Sequence, residues 1–461
     1  MKCEGLTPWY YGAVMDHQLI VVGAGSAGCM AAGRAARRGL KVLLLDRREA
    51  DAVGHPWVDD VEADIFRRLG LPAPDEEEAW PPPPFYRAVS PGGMAIEKRG
   101  LPTMGLRMDR FVRKLLRQAE LAGVEFRGGT DVEGPLLDGG RVHGVVAGGE
   151  ELPARLVLDA SGLAGAVRRG LPDDSPVQRE IGEECLVTAW REHRAFPPEE
   201  VKDLLEKLEL PPGTGVARLG WRGGYSVLSL FYEARERILD ILVGFKYEPA
   251  GETAGEFADR FLRERGVGGR RVHGGGGLIP VRRSLDVLVD HGLMLAGDAA
   301  CMVLPAHGSG VASALIAGDL AAGTAAACLE RGDTGRGSLW EYGAAWQRGR
   351  GALMAYFDFI RLLSESLDER GMDKLMGYAM TPLDLEIAMA ARTLPLRPGD
   401  LLRRLKGLRH PLFLARFAAL ARHSMTLKKV YERYPLRWDL RELELWRAEV
   451  GRAIHRLPRA V

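Results

Sequence analysis

Three short stretches carry glycines, small residues and acids at spacings that suit a bound nucleotide. The first, Gly23-Ala24-Gly25-Ser26-Ala27-Gly28, is a full G-x-G-x-x-G. In such a turn the first glycine permits the bend, the second lets the backbone approach a pyrophosphate, and the third lets helix and strand pack closely. Unpaired N–H groups at the start of the following helix then face the phosphates. Asp46, eighteen positions after Gly28, suits a ribose hydroxyl. The second stretch, Asp159-Ala160-Ser161-Gly162, again offers small residues and free N–H groups, although a plain strand-to-loop turn has the same composition. In the third, Gly297-Asp298 precedes Gly308-Ser309-Gly310. Asp298 would bond a polyol chain, and amides near Gly308 would face an anionic group.

Other side chains are candidates for the chemistry itself. His55 precedes Pro56 in a loop that should approach the ligand, as a proton donor, a substrate contact or a plain surface histidine. His307, between Pro305 and Gly308, would sit at a helix start whose dipole lowers its pKa. Cys301 reads as a buried, inert thiol. Trp57, Trp190, Trp221 and Tyr225 suit either an apolar cavity wall or ordinary core.

The elements that hold these residues follow from hydrophobic periodicity. Leu19–Val22 is an apolar strand, Cys29–Arg38 an Ala-rich helix, and Lys41–Leu45 a second strand ending on Asp46. After it come a loop at Gly54–Trp57, a short helix over Val61–Leu69 and an extended, proline-rich connection over Leu71–Pro84. Met108–Ala122 is an amphipathic helix with Arg107 at its entrance. A meander then leads through Val124–Leu137, Arg141–Ala147 and Leu152–Leu158. From Ile181 to Val281, strands at Cys185–Trp190, Gly215–Leu219, Ser226–Phe231 and Ile238–Phe245 alternate with helices at Pro198–Leu208 and Thr253–Arg265. Gly274–Gly277 leads the chain back. Leu293–Ala296 is a buried strand. Helices follow at Trp340–Arg361, Asp373–Met380, Leu383–Thr393, Asp400–Leu408, Pro411–His423 and Arg441–His455.

The whole chain bounds the function. Its 461 residues exceed one simple core, so two or three domains are expected. A composition of 46% hydrophobic and 27% charged residues is that of a soluble protein, and a net charge of +1 gives no argument for nucleic acid. Five scattered cysteines without C-x-x-C speak against a disulfide framework or a metal site and for a reducing, cytoplasmic setting. Ala299–Gly318 holds no charged residue, yet Pro305 and Gly308–Gly310 interrupt it, so it reads as a buried loop entering a buried helix. Residues 1–15 read as a short N-terminal extension. From Leu401 to Val461 there are fifteen Lys and Arg against five Asp and Glu. That is a solvated basic face, or a surface for a membrane or an acidic partner.

Taken in order, G-x-G-x-x-G with Asp46, DASG, and AGDAA followed by Pro305-Ala306-His307-Gly308-Ser309-Gly310 resemble the FAD-dependent oxidoreductases built like p-hydroxybenzoate hydroxylase. Within that group, the run from Leu278 to Ala322 most resembles the geranylgeranyl reductase family, as does the Arg-led helix from Arg107. Two stretches differ from that family's pattern. Tyr225-Ser226-Val227-Leu228 keeps only the tyrosine of a Tyr-x-Trp-x-Phe-Pro strand, and Gly54-His55-Pro56-Trp57 stands where a cysteine loop is expected.

The resemblance implies an α/β fold: a Rossmann-like FAD-binding domain with an inserted α+β substrate domain and a helical C-terminal region. Its discontinuous FAD-binding part would be 16–50, 105–180 and 277–335, its substrate insertions 51–104 and 181–276, and its helical region 336–461. It implies that Gly23–Gly28, Asp46 and Arg47 hold the ADP half, that Arg107 and Val132 line the FAD, that Gly297 and Asp298 meet the ribityl-pyrophosphate region, and that Gly308–Gly310 meet the isoalloxazine. The expected reaction is reduction of carbon–carbon double bonds in a hydrophobic isoprenoid or lipid substrate, with NAD(P)H or reduced ferredoxin as donor. A monooxygenase of the same fold, and an electron-transfer partner docking through the basic helices, stand as the alternatives.

Overall fold

The computed structural model describes residues 16–393 and 411–455; the expected N-terminal extension and the helix expected over Asp400–Leu408 lie outside them. The chain opens with β1 (His17–Val22), turns through the glycines into α1 (Ser26–Ala36) and returns as β2 (Val42–Leu45), parallel to β1. β2 is buried throughout, as a Val-Leu-Leu-Leu run covered on both faces must be. Gly23 takes φ +100°, and a Cβ there would overlap the Ala160 carbonyl; one on Gly28 would overlap the Gly23 oxygen. Only glycine permits this turn and this helix to sit so close.

β3 (Val58–Glu62), α2 (Ile65–Arg68), β4 (Ala79–Trp80), β5 (Phe85–Val89), β6 (Ala95–Arg99) and β7 (Thr103–Arg107) come next. The helix expected over Val61–Leu69 shrinks to one turn because Val58–Glu62 pairs with β7 instead. α3 (Met108–Leu121) buries Met108, Phe111, Val112, Leu115, Leu116 and Ala119, the face its periodicity marks. β8 (Glu125–Arg127), β9 (Val132–Asp138), β10 (Arg141–Ala147) and β11 (Glu150–Asp159) follow, the last three as an antiparallel meander.

A second, seven-stranded sheet is built by β12 (Leu186–Ala195), α4 (Val201–Leu208), β13 (Thr214–Leu219), β14 (Ser226–Glu233), β15 (Ile238–Lys246), α5 (Ala254–Glu264) and β16 (Arg270–Pro280). Its order is β16-β12-β15-β14-β13-β5-β6. Successive side chains take opposite faces. Leu228, Leu230, Leu239 and Ile241 pack with α4 and α5, while Ser229, Phe231, Asp240 and Leu242 line a cavity on the other side. Gly274–Gly277, expected as a returning loop, instead lies inside β16, paired along β12. A Cβ on Gly276 would overlap the Ala189 carbonyl, and one on Gly275 would lie 2.6 Å from the Trp57 ring. The glycines are there for close approach, and their poor strand preference conceals the strand.

β17 (Val289–Asp290) and β18 (Leu293–Leu295) return the chain to the first sheet. β18, β11, β1 and β2 lie side by side and parallel, with Leu295 opposite Asp159, Asp159 opposite Val22 and Val22 opposite Leu45. Their C-terminal ends therefore share one edge, which gathers Gly297-Asp298, Ala160-Ser161, the glycine turn and Asp46. α6 (Val311–Glu330) packs so tightly on α1 that a Cβ on Gly318 would lie 2.6 Å from the Ala27 oxygen. By length and hydropathy α6 could cross a membrane, but here it is a largely buried core helix.

α7 (Arg336–Trp346), α8 (Ala352–Glu365), α9 (Glu369–Lys374), α10 (Pro382–Met389), α11 (Pro411–Glu432) and α12 (Leu440–His455) complete the described chain. The single helix expected over Trp340–Arg361 is split by a π-turn at Gln347–Gly351. Buried Gln347 donates to the Leu285 carbonyl at 2.6 Å, and Arg350 reaches Glu62 and Ser313, so the widened turn serves side chains that must point inward. The helix expected over Asp373–Met380 likewise ends at Lys374 and continues as a π-turn, Leu375–Ala379.

Candidate active site

A cavity of about 910 Å³ opens along the shared strand edge and runs beneath the second sheet to α8 and α10. Of the residues expected to hold the cofactor, all but Gly28 and Arg107 line it. Gly28 instead lets α1 pack on β1. Arg107 ion-pairs with Glu236 and lies over the Trp80 ring, 4.8 Å from its centroid, so it braces the wall rather than entering the cavity.

The strand edge fits a dinucleotide. A Cβ on Gly25 would meet nothing within 4 Å, so the turn leaves open space where a pyrophosphate would approach. α1 begins without a side-chain cap, which leaves N–H groups for an anion, whereas before α6 the N–H groups of Gly308, Ser309 and Val311 are taken by the Leu304 carbonyl, His307 Nδ1 and Ser309 Oγ, so that helix acts on an anion through its dipole. Asp46 accepts from the N–H of Ala24 at 2.6 Å and of Arg48 at 2.8 Å, so it shapes the glycine turn as well as facing the cavity. Asp159 does not reach the cavity; it accepts from the Ser161, Val167 and Arg168 amides and fixes the loop that presents Ala160 and Ser161. Asp298 is different. Its carboxyl has no hydrogen-bond or ionic partner among the described residues, and burial pushes its pKa up to about 6. A half-buried carboxyl facing a cavity without a protein partner is free to accept from a hydroxyl-bearing ligand, and the ribityl chain of FAD is one.

Beyond this edge His55 stacks on Trp57, with ring centroids 4.4 Å apart. Burial and then Arg48 lower its pKa to about 4, so it is neutral. His307 is also lowered by burial. Its Nδ1 accepts from the Ser309 N–H at 3.2 Å, which puts the proton on Nε2, a buried nitrogen with no partner among the described residues. Nearby, Arg350 donates to Glu62 at 2.6 Å and to Ser313 at 3.0 Å. Burial favours the neutral Glu62 acid, but Arg350 outweighs it and holds the carboxyl below its usual range. Cys301 is buried and its thiol is pushed up to about 12, an inert group. Tyr225 donates to the Pro305 carbonyl at 2.9 Å, tying the second sheet to the loop before α6. Trp221 packs on Phe257 in the core under α5, away from the cavity.

Sequence reasoning missed a charged group on the cavity wall. Arg191 forks Asp240 at 2.9 and 2.6 Å and reaches Asp60 at 3.0 Å, and Asp59 lies beside them. The one signal was the pair Asp59-Asp60 inside a short strand, Val58–Glu62, flanked by valines. Past this group the cavity is mostly apolar, walled by Leu219, Phe231, Leu242, Leu363, Leu375 and Met389, with Arg361 and Asp384 also in its lining.

The family model described as FAD binding domain matches residues 16–238. With the open glycine turn and the unpartnered Asp298, it makes this chain an FAD-dependent oxidoreductase, its fold the α/β FAD-binding domain of the p-hydroxybenzoate hydroxylase type with a helical C-terminal region. The chain is 27% identical over 456 residues to the digeranylgeranylglycerophospholipid reductase of Sulfolobus acidocaldarius, covering 95% of this chain and 98% of that protein. It is 30% identical over 364 residues to digeranylgeranylglycerophospholipid reductase 2 of Methanopyrus kandleri, covering 74% and 85%. The crystal structure of a geranylgeranyl bacteriochlorophyll reductase-like protein from Thermoplasma acidophilum shares the fold, with a TM-score of 0.69 at 19% identity over 88% of this chain and 99% of that one. The chain belongs to the geranylgeranyl reductase family.

Proposed function

We propose that this enzyme reduces carbon–carbon double bonds in a geranylgeranyl lipid. The observation that carries the reading is the continuity of one cavity from the cofactor edge into an apolar passage between the second sheet and the C-terminal helices. An unbranched polar substrate would gain nothing from such walls, whereas a polyisoprenoid chain would bury apolar surface along all of it. The names of the relatives agree with this substrate class.

Bound FAD would supply the hydride in its reduced form. Gly25 and the first turn of α1 would seat the pyrophosphate, Asp298 the ribityl hydroxyls, and the start of α6 at Gly308–Gly310 would favour negative charge on the reduced ring. His55 and Trp57, packed against Gly275, would close the cavity against water. In this reading segments 16–50, 105–180 and 277–335 serve the cofactor and 51–104 and 181–276 the substrate. The electron donor would be NAD(P)H or a reduced ferredoxin, and the lipid would be met in the cytoplasm or at a membrane surface.

The test is anaerobic reduction of the FAD-loaded enzyme, then mixing with either geranylgeranyl lipid or oxygen. Reoxidation by lipid that outpaces reoxidation by oxygen supports the proposal. Rapid oxygen reaction with no response to lipid overturns it in favour of a monooxygenase.

A further inference from the structure

The reduction proposed above needs a proton as well as a hydride, and neither candidate histidine suits. His55 and His307 are both neutral, and a neutral imidazole N–H is a weak acid. The wall formed by β3, β12 and β15 offers another group. Asp59 and Asp60, neighbours on β3, both reach the cavity. Asp60 accepts from Arg191 at 3.0 Å, and the remaining fork of Arg191 is taken by Asp240 at 2.9 and 2.6 Å. His193, also on β12, turns to the same Asp240, 3.5 Å away. Arg191, the cation on this wall, is thus committed to Asp60 and Asp240. Among the described residues Asp59 is left with one hydrogen bond, accepted by its Oδ1 from the Asp60 N–H at 3.0 Å.

Asp298, across the cavity at the cofactor edge, also lacks a cation. On this part of the cavity wall Asp59, Asp60 and Asp240 share one guanidinium, Arg191, and Asp298 adds a fourth carboxyl. Charge balance favours a proton on one that Arg191 does not bind. Asp59 meets that condition and lines the same cavity as the cofactor edge and the apolar passage.

We propose that the Asp59 carboxylic acid is the proton donor of the reduction, an inference that rests on the double-bond reductase reading. The alkene π bond breaks as one carbon accepts a hydride, whose two electrons come from the reduced flavin. The other carbon accepts the proton of the Asp59 O–H. The carboxylate left behind regains a proton from water after product leaves. Burial, opposed by Arg191 and reinforced by Asp60 and Asp298, pushes the Asp59 pKa up to about 7, so the acid form exists at neutral pH. A donor with such a pKa is well matched to its task.

The test compares wild type with Asp59→Asn and Asp59→Glu, all FAD-loaded. Difference infrared spectra of the oxidised proteins, titrated across neutral pH, are expected to show a carboxylic-acid band with a midpoint near pH 7 that Asp59→Asn lacks. In single turnovers of pre-reduced enzyme, Asp59→Asn is expected to slow lipid reduction by about 10²- to 10⁴-fold with FAD content and affinity for the saturated product unchanged. Asp59→Glu, which keeps the acid, is expected to recover part of the rate and stands in if the asparagine variant misfolds. An unchanged infrared band, or an asparagine variant within threefold of wild-type rate, overturns the proposal. A wild type that reduces no lipid refutes the reductase reading instead, and the infrared titration still decides whether Asp59 holds the proton.

Discussion

Replacing Gly25 by alanine should separate cofactor binding from folding. Gly25 has φ −78° and ψ −173°, a conformation open to any residue, and a Cβ there meets nothing within 4 Å. As the N-cap of α1 it loses about 1 kcal/mol on going to alanine, and the stiffer unfolded chain returns about 0.4–1 kcal/mol, so stability should change little. The new methyl group would project into the space left for the pyrophosphate. Losing two charge-assisted hydrogen bonds to amides, at about 1.5 kcal/mol each, would weaken FAD by about 3 kcal/mol, roughly a hundredfold in Kd. The assay is quenching of flavin fluorescence on titrating FAD into stripped protein, beside thermal unfolding of the same samples. Gly23→Ala is the contrast: φ +100° and overlap with the Ala160 carbonyl predict a protein that is unstable as well as poor at binding. An FAD affinity for Gly25→Ala within threefold of wild type, with the fold intact, would refute the placement of the pyrophosphate.

Three further outcomes are expected. Because the Asp59 acid is needed and its pKa is raised to about 7, kcat/KM should be level below that pH and fall about tenfold per unit above it; stability should also decline as pH rises toward 7, since the unfolded chain releases this proton first. Arg350→Met leaves buried Glu62 without its cation and should cost about 3–5 kcal/mol in denaturant unfolding, with much of the loss recovered in Glu62→Gln/Arg350→Met. Leu242→Trp, on the cavity face of β15, should block long isoprenoid chains while sparing short ones, read as a rise in KM that grows with chain length.

The cofactor edge was legible in the sequence because its parts are local. A strand, a small-residue turn and a helix start fall within a dozen residues of one another at Gly23, Ala160 and Asp298, and parallel pairing brings the three together. The substrate strands were legible for the same reason, from alternation along each one. What the alternation could not tell was which face met the cavity, since that depends on α4 and α5 covering the other. The Arg191 group was hidden because Asp60 and Arg191 are 131 positions apart, and Arg191 and Asp240 another 49. Gly274–Gly277 misled because closeness to Ala189 and Trp57, not strand preference, dictates glycine there. Arg107 was expected as a cofactor contact from the resemblance, but Glu236, in the turn between β14 and β15, takes its charge.

The most direct measurement is the mass of the lipid after one anaerobic turnover of stoichiometric, pre-reduced enzyme. The account predicts a geranylgeranyl lipid heavier by two hydrogens for each flavin oxidised. A lipid of unchanged mass, or one that has gained oxygen only when air is admitted, would contradict it.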